Sequence, residues 1–240
     1  MNENLSTSRH AFILAGGLGT RLRSVVKDVP KPMAPVGEAP FLAHLLRYWT
    51  RQGISRFTLS TGYLGNTIRE YFSSVFLGAT IDYVEEMEPL GTGGALSNAF
   101  NHGVFDDRPV ILLNGDTWFE ASLAQLMSDH MRHGCLMTVA LRTVSQNTRY
   151  GGVALTADAR ISRFGDPTSS LINAGCSLFS PRELEPYLQG LPRKFSLEND
   201  LLPLLAKEGH LGASLQDVNF IDIGVPEDYA RFCAEKAWSA

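Results

Sequence analysis

The sequence predicts an α/β fold, in which a mostly parallel sheet is flanked by helices and carries a smaller mixed or antiparallel sheet. In the first half of the chain, short apolar runs alternate with segments of helical periodicity. This alternation is typical of a parallel sheet covered by helices. From about residue 149 the candidate strands become short and are separated by Gly, Asp, Pro and Ser, which favours an antiparallel addition.

The individual elements follow from these patterns in chain order. Apolar residues spaced by three or four predict the helices, and Gly53 is a stop signal for the first of them. The predicted strands cover residues 12–15, 56–61, 81–84, 110–113, 136–141, 153–155, 161–164 and 174–179. The predicted helices cover residues 40–52, 65–76, 91–103, 122–133, 197–207 and 226–237. We expect one domain over residues 1–240, with a loose tail at residues 1–9.

A glycine-rich loop follows the first predicted strand, and two cations lie in or after it. Because glycine has no Cβ, phosphate oxygens can approach the backbone N–H groups of such a loop closely. The cations Arg21 and Lys31 add positive charge where a triphosphate would lie. The segment therefore predicts a nucleotide site, although a purely structural strand-to-helix turn is the alternative for the glycines alone. Its candidate residues are Gly16, Gly17, Gly19, Thr20, Arg21 and Lys31.

Several other nucleotide and catalytic motifs do not match. A dinucleotide-binding G-x-G-x-x-G would need glycine where Leu22 stands, and a P-loop would need G-K-[ST] after the glycines. The chain contains no G-x-S-x-G, so nothing supports an acyl-transfer nucleophile. Its six histidines lack the spacing of metal ligands.

Composition narrows the class of protein further. A chain of 240 residues with 44% hydrophobic and 19% charged residues is typical of a folded globular enzyme. Its net charge of -4 disfavours a general nucleic-acid binder. Three widely spaced cysteines favour reduced thiols in a cytosolic protein. No apolar run reaches the length of a signal peptide or a membrane span, so we expect a cytoplasmic protein that binds no membrane.

Two aspartates are candidates for binding a metal ion. Asp116 follows an apolar predicted strand and Gly115, and the carboxyl ends of such strands are where open α/β sheets bind ligands. Asp222 stands in a second apolar segment, residues 219–226. Mg²⁺ takes one or two carboxylates together with substrate phosphates, so the pair fits phosphoryl chemistry. The alternative is that Asp116 caps the next segment and Asp222 serves a turn.

A second glycine loop begins at Gly91, where small residues would let a planar base lie against the backbone at a helix N-terminus. Glu85 and Glu86 stand just before it and could accept hydrogen bonds from the amino group and ring N–H of guanine. A solvated acidic turn is the alternative for either glutamate.

Together these segments resemble the sugar-phosphate nucleotidyltransferases, the enzymes that make nucleoside diphosphate sugars, over roughly residues 11–235. The local sequence of residues 22–35 most resembles the D-glycero-D-manno-heptose 1-phosphate guanylyltransferases. The resemblance implies a Rossmann-like, GT-A-like sheet whose small antiparallel addition lies on the sugar side. Its motifs are residues 14–22, 30–33, 89–95, 114–116, 172–175 and 222–229.

The resemblance also implies a reaction and its participants. A sugar 1-phosphate oxygen would attack the α-phosphate of GTP in line, and pyrophosphate would leave. Arg21, Lys31 and Asp116 would be catalytic, and Asp116 and Asp222 would hold Mg²⁺. Neither nucleic acid nor a membrane would be a partner. Whether the protein forms a homo-oligomer stays open. The nucleotide would contact Leu14, Ala15, Gly16, Gly17, Gly19, Thr20, Glu85, Glu86, Gly91, Thr92 and Asn114, and the sugar would contact Gly152, Asn173 and Glu198.

One segment departs from the family pattern. Family members often carry F-x-E-K-P, whose lysine helps to hold the sugar phosphate, but residues 164–167 here contain no lysine. The phosphate contact would then come from Arg163 or Arg149, or be missing.

Other substrate pairs stay open, namely GTP with mannose 1-phosphate, or UTP or dTTP with glucose 1-phosphate. A non-catalytic regulatory subunit that binds sugar nucleotides is the alternative from a different class of protein.

Overall fold

The computed structural model describes residues 9–17, 19, 21–22, 25–26, 28–145, 150–236 and 238. The predicted tail up to residue 8, Thr20 and Arg149 lie outside the described residues. The strands are β1 His10–Leu14, β2 Pro35–Val36, β3 Ala39–Pro40, β4 Arg56–Thr61, β5 Val75–Phe76, β6 Ala79–Glu85, β7 Val110–Asn114, β8 Thr117–Phe119, β9 Met137–Thr143, β10 Val153–Leu155, β11 Ile161–Phe164, β12 Leu171–Phe179, β13 Leu211–Leu215 and β14 Phe220–Asp222.

The helices alternate with these strands in the first half of the chain. They are α1 Phe41–Arg51, α2 Gly65–Phe72, α3 Gly91–Asn101, α4 Leu123–His133, α5 Pro181–Gln189, α6 Leu202–Lys207 and α7 Pro226–Glu235. A 3-10 turn covers Lys31–Met33, and a π-helical turn covers Leu197–Leu201 directly before α6. In the part of the chain that the structure describes, no helix is both long enough and apolar enough to cross a membrane.

The central sheet of the described residues has eight strands in the order β13-β9-β12-β7-β1-β4-β6-β5. Strands β7, β1, β4 and β6 pair in parallel, as do β13 and β9. Strand β12 lies antiparallel between β7 and β9, and β5 lies antiparallel on β6 at the edge. The prediction of a mostly parallel sheet flanked by helices is therefore confirmed. Pairs β10–β11, β8–β14 and β2–β3 form small antiparallel additions.

The core lies on both faces of the central sheet. In β1, Phe12 packs on one face with residues of α3 and α5, whereas Ala11 and Ile13 pack on the other face with residues of α1 and α7. This alternation follows from the two-residue period of a strand. Because both faces are covered, β1 is apolar throughout its centre, which is why its sequence is recognisable as a buried parallel strand.

The prediction for residues 174–179 was wrong in its location. This segment is part of β12, which begins at Leu171 and belongs to the central sheet rather than to a small one. The strand carries a bulge between Asn173 and Ser177, where Gly175 adopts a φ of 69°. The bulge explains the turn-like composition, because its extra residues are not paired in the ladder. The short hairpin of β10 and β11 is the small antiparallel sheet that was predicted.

The predicted helix over residues 65–76 is too long. Helix α2 ends at Phe72, because Ser73 has a φ of 54° and leaves the helical region. Residues Val75 and Phe76 instead form β5, which turns back through Gly78 to pair with β6. Strands β2, β3, β5, β8 and β13 and helix α5 were not predicted.

A buried histidine joins three elements behind the sheet. His130 of α4 makes hydrogen bonds through Nδ1 to the Thr138 hydroxyl of β9 and through Nε2 to the Ser180 hydroxyl before α5, both at 3.0 Å. Hydroxyl groups can serve a neutral imidazole as donor or acceptor. Burial lowers the pKa of His130 from 6.5 to about 4, with the nearby Glu183 carboxylate opposing part of the shift.

This lowered pKa predicts an acid-dependent loss of stability. Between pH 6.5 and about 4 the unfolded state binds a proton at His130 that the native state does not, so the free energy of unfolding falls as the pH falls. Between pH 7 and 5, we expect wild type to lose on the order of 2 kcal/mol more than His130→Gln does. Urea unfolding at both pH values measures the difference.

The matched control is His102→Gln, which changes an exposed histidine at the end of α3. This variant is expected to keep the wild-type pH dependence. If the free energy of unfolding had the same pH dependence in His130→Gln and in wild type, protonation of His130 would not be the cause of the acid-dependent loss of stability.

Candidate active site

The loop after β7 packs directly on the end of β1. The Gly115 N–H donates to the Leu14 carbonyl oxygen at 3.0 Å. A Cβ at Gly115 would lie 2.6 Å from that oxygen and 3.3 Å from the Ala15 Cα, so no other residue fits without moving the loop. This close approach fixes Asn114 and Asp116 at the carboxyl end of the central sheet, which is where open α/β sheets bind ligands.

A second antiparallel pair brings Asp222 to the same place. Strand β14 pairs with β8 so that Asp222 lies opposite Thr117. The Ile223 N–H then donates to the Asp116 carbonyl oxygen at 3.0 Å. Two carboxylates that are distant in the sequence therefore end on neighbouring strands.

The Lys31 ammonium group lies between these carboxylates. It forms an ion pair with Asp116 Oδ2 and lies 3.8 Å from Asp222 Oδ1. The Lys31 side chain is only 10% exposed, so the two acidic groups compensate a cation that has lost most of its water. Both carboxylates have a further donor, since the Thr117 hydroxyl donates to Asp116 Oδ1 at 3.1 Å and the Gly224 N–H donates to Asp222 Oδ1 at 2.7 Å.

The two aspartates suit a divalent cation that prefers oxygen ligands. Both already approach one cation, the Lys31 ammonium, so their oxygens converge on a common positive charge. No group of three or more histidine, cysteine, aspartate or glutamate side chains in the described ranges forms a metal cluster. A site with two carboxylates fits Mg²⁺, which completes its coordination with substrate phosphates and water, better than it fits a structural zinc site.

Two cavities meet at this point. The first, here called the loop cavity, has a volume of about 260 Å³ and lies between the two glycine loops. The second, here called the strand cavity, has a volume of about 250 Å³ and lies at the ends of β7, β8, β11 and β14 and at the bulge of β12. Asn114 and Asp116 line both cavities, so molecules bound in the two cavities would meet beside Asp116.

Glu86 lines the loop cavity and is held in place by two donors. Its Oε1 accepts from the Ser60 hydroxyl at 2.9 Å, and its Oε2 accepts from the Leu90 N–H at 3.3 Å. A Cβ at Gly16 would collide with this carboxylate, so a larger residue there would displace the Glu86 side chain. Burial raises the pKa of Glu86, while the Ser60 and Leu90 hydrogen bonds partly oppose the shift.

Most of the predicted nucleotide-binding residues gather at the loop cavity, but three described ones do not line it. Ala15 is buried behind it, and Gly19 packs on Lys31, because a Cβ at Gly19 would lie 2.9 Å from the Lys31 Cβ. Glu85 is exposed at the end of β6 and is not among the described residues that line either cavity. The predicted residues that line the loop cavity are Leu14, Gly16, Gly17, Glu86, Gly91, Thr92 and Asn114.

The strand cavity contains the predicted sugar-binding residues Asn173 and Glu198, together with Arg21. Gly152 does not line it; this residue is buried and forms a bridge with Ile172, and the preceding residues Tyr150 and Gly151 line the cavity instead. The bulge in β12 orients Asn173, whose side-chain oxygen accepts from the Gly175 N–H at 2.9 Å.

Sequence reasoning missed the aromatic wall of the strand cavity. Tyr150, Phe164 and Phe220 line it, and the Tyr150 and Phe220 rings pack edge to face with centroids 5.5 Å apart. An isolated aromatic residue in a loop or short strand carries no local signal for such a role. Arg163, a candidate for the missing phosphate contact, instead forms an ion pair with Asp166 at 2.5 Å.

Two glycines of the second loop serve packing rather than ligand access. The Gly93 and Gly94 N–H groups donate to the Phe195 carbonyl oxygen at 3.1 and 3.2 Å. A Cβ at Gly93 would collide with the Phe195 ring, and one at Gly94 would lie 2.6 Å from the Arg193 carbonyl oxygen. The start of α3 is therefore covered by residues 193–195, and these two N–H groups already have partners.

Comparisons with known proteins agree with this geometry. Residues 10–237 match the family model described as nucleotidyl transferase. The chain is 39% identical over 224 residues to D-glycero-alpha-D-manno-heptose 1-phosphate guanylyltransferase from Aneurinibacillus thermoaerophilus, covering 92% of this chain and 95% of the relative. It is also 39% identical over 225 residues to the enzyme of the same name from Campylobacter jejuni, covering 92% of this chain and 97% of the relative.

A solved structure extends the likeness to three dimensions. The crystal structure of HddC from Yersinia pseudotuberculosis complexed with GMP-PN matches with a TM-score of 0.82 and 33% identity, covering 95% of this chain and 99% of that one. Because the family model and the relatives both span nearly the whole chain, this protein belongs to the nucleotidyl transferase family of enzymes.

Proposed function

We propose that the protein transfers a guanylyl group from GTP to D-glycero-α-D-manno-heptose 1-phosphate, giving GDP-heptose and pyrophosphate. The observation that carries the proposal is the pair of cavities that meet at Asn114 and Asp116. One cavity has the glycine loops and a half-buried glutamate suited to guanine, and the other has polar groups suited to sugar hydroxyls. The two relatives that are 39% identical over most of their length support the choice of GTP and heptose 1-phosphate.

The reaction needs positioning and charge stabilisation more than a protein nucleophile. The sugar phosphate supplies the attacking oxygen, and pyrophosphate leaves from the opposite side of the α-phosphorus. No covalent intermediate is required, so the enzyme gains rate by aligning the two substrates and by neutralising the developing negative charge. The meeting of the cavities beside Asp116 suits this alignment.

Four charged side chains divide this work in the proposal. Arg21, which lines the strand cavity, contacts the phosphates of the two substrates and stabilises charge at the α-phosphate. Lys31 adds a second cation, held near the α-phosphate by Asp116 and Asp222. Asp116 and Asp222 would also hold Mg²⁺, which when bound neutralises phosphate charge and orients the phosphate oxygens.

Guanine recognition is assigned to Glu86. An ionised carboxylate accepts hydrogen bonds, and guanine presents two donors, its ring N–H and its amino group, along one edge. The Glu86 carboxylate lines the loop cavity and is fixed by Ser60 and Leu90, so it is held ready before the base arrives. The sugar is assigned to Asn173 and Glu198, with the aromatic wall packing on its carbon face.

The first test is pyrophosphate release with Mg²⁺ across four nucleoside triphosphates and several sugar 1-phosphates. We expect release with GTP and the heptose 1-phosphate to exceed that with any other pair. Release confined to mannose 1-phosphate with GTP, or to glucose 1-phosphate with UTP or dTTP, would replace the proposed substrates. Absence of release with every pair in a folded protein would favour the regulatory alternative.

Replacement of Asp116 by Asn tests the centre of the site. The variant keeps the shape of the side chain but loses the charge that pairs with Lys31 and that would bind the metal ion. We expect kcat to fall by at least about a hundredfold, which is typical for the loss of one group that stabilises transition-state charge. Steady-state kinetics and Mn²⁺ binding both measure the effect.

Asp107→Asn is the matched control, because the Asp107 side chain is 80% exposed and lies 3.9 Å from the exposed Arg182. It should keep wild-type kcat and Mn²⁺ affinity. Wild-type turnover in Asp116→Asn would remove Asp116 from the catalytic site.

Replacement of Glu86 by Gln tests base recognition. Glutamine presents one acceptor and one donor where guanine needs two acceptors, so we expect the KM for GTP to rise about tenfold. Because the pKa of Glu86 is raised, its carboxylate takes up a proton at higher pH than an exposed glutamate does. The wild-type KM for GTP should therefore rise as the pH is lowered through that pKa, and Glu86→Gln should lack this rise.

Comparison with Glu85→Gln separates the two adjacent glutamates. Glu85 is exposed outside both cavities, so the KM for GTP is expected to change by less than about twofold in this variant. If Glu85→Gln raised the KM for GTP more than Glu86→Gln did, guanine recognition would be assigned to Glu85 instead.

A further inference from the structure

We infer that Thr92 is a positioning residue for the sugar 1-phosphate, because it holds the Glu198 carboxylate in the strand cavity while lying in the loop cavity itself. This inference rests on the proposed function and adds to it a direct link between the nucleotide loop and the sugar site. Thr92 acts through Glu198 and does not need to touch the sugar.

The Thr92 hydroxyl group is held from both sides. It donates to Glu198 Oε2 at 2.8 Å and accepts from the Leu197 N–H at 2.9 Å. An ionised carboxylate has no proton to donate, and a backbone N–H can only donate, so the direction of both bonds is set. The hydroxyl therefore bridges the first turn of α3 and the π-helical turn that carries Glu198.

Glu198 is held through one of its two oxygens. Oε2 accepts from Thr92 and also from the Ser196 hydroxyl at 2.9 Å. Oε1 accepts no hydrogen bond from the residues that the structure describes. This arrangement fixes the carboxylate and keeps one oxygen for a ligand hydroxyl in the strand cavity.

The two elements that Thr92 joins are already packed together. The Phe195 N–H donates to the Leu90 carbonyl oxygen at 3.1 Å, and the Phe195 carbonyl oxygen accepts from Gly93 and Gly94. The backbone of residues 195–197 therefore stays on α3 without Thr92. Loss of the Thr92 hydroxyl would thus release the Glu198 side chain rather than the whole segment.

The hydrogen bonds to Glu198 preorganise its carboxylate for binding the sugar. A free glutamate side chain samples several rotamers and loses that freedom when a sugar binds. Two donors on Oε2 remove much of this cost before binding, which raises affinity without a new contact to the ligand. Glu198 contacts the sugar and not the base in the proposed site. Loss of the Thr92 hydroxyl should therefore raise the KM for the sugar 1-phosphate rather than the KM for GTP.

The test is Thr92→Val, which keeps the shape of the side chain and removes the hydroxyl. We expect the KM for the sugar 1-phosphate to rise about tenfold, as for a lost hydrogen bond to a charged group, while the KM for GTP changes less than about twofold. Thr92→Ser keeps the hydroxyl and should restore most of the lost affinity. Ser97→Ala is the matched control, since it removes a hydroxyl five residues further along α3, outside both cavities.

A double-mutant cycle shows whether Thr92 acts through Glu198. In a Glu198→Ala background, Thr92→Val should change the KM for the sugar 1-phosphate by less than about twofold, because the group that it positions is gone. Equal effects of Thr92→Val in both backgrounds, or an effect confined to the KM for GTP, would overturn the inference. The cycle uses whichever sugar 1-phosphate the wild type turns over, so a different sugar would revise only the proposed substrate.

A crystal structure of Thr92→Val tests the positioning without any turnover. We expect the Glu198 carboxylate to shift or to occupy several rotamers while α3 keeps its place. A Glu198 side chain in the wild-type position would overturn the inference even if the enzyme were active on the proposed substrates.

Discussion

The contact of one lysine with two aspartates is the constraint on which the site depends. Lys31 comes from a 3-10 turn, Asp116 from the loop after β7, and Asp222 from the end of β14. A lysine that is only 10% exposed needs compensating negative charge, because an unpaired charge there would be costly. The ion pairs therefore help to hold three distant segments at one point, where the proposed phosphoryl chemistry needs both positive charge and metal-binding oxygens.

Close backbone packing is the second requirement of the site, and it explains several of the glycines. Gly115 lets the loop after β7 lie on the end of β1, and Gly93 makes room for the Phe195 ring. A Cβ at Gly17 would meet no described atom within 4 Å, so this glycine keeps open access to the loop cavity. The glycine-rich motifs thus combine ligand access with packing, and only the tertiary contacts distinguish the two roles.

The shared wall of the two cavities connects base, phosphate and sugar recognition. Asn114 and Asp116 line both cavities, and Thr92 and Glu198 form a hydrogen bond between them. A ligand that orders the loop cavity would also stabilise the groups around Glu198, because α3 and the π-helical turn are bonded to each other. Hydrogen bonds therefore connect the lining of one cavity to that of the other.

The sequence by itself determined the parallel core, since β1 and β7 are apolar runs and helical patterns alternate with the strands, and it marked Asp116 at a strand end. It did not determine that β12 enters the central sheet, because this antiparallel pairing joins distant segments and a bulge hides the strand pattern. Nor did it choose between Glu85 and Glu86. A shift of one residue in a strand or at its end changes the face, so the tertiary structure alone decided that Glu86 lines the cavity.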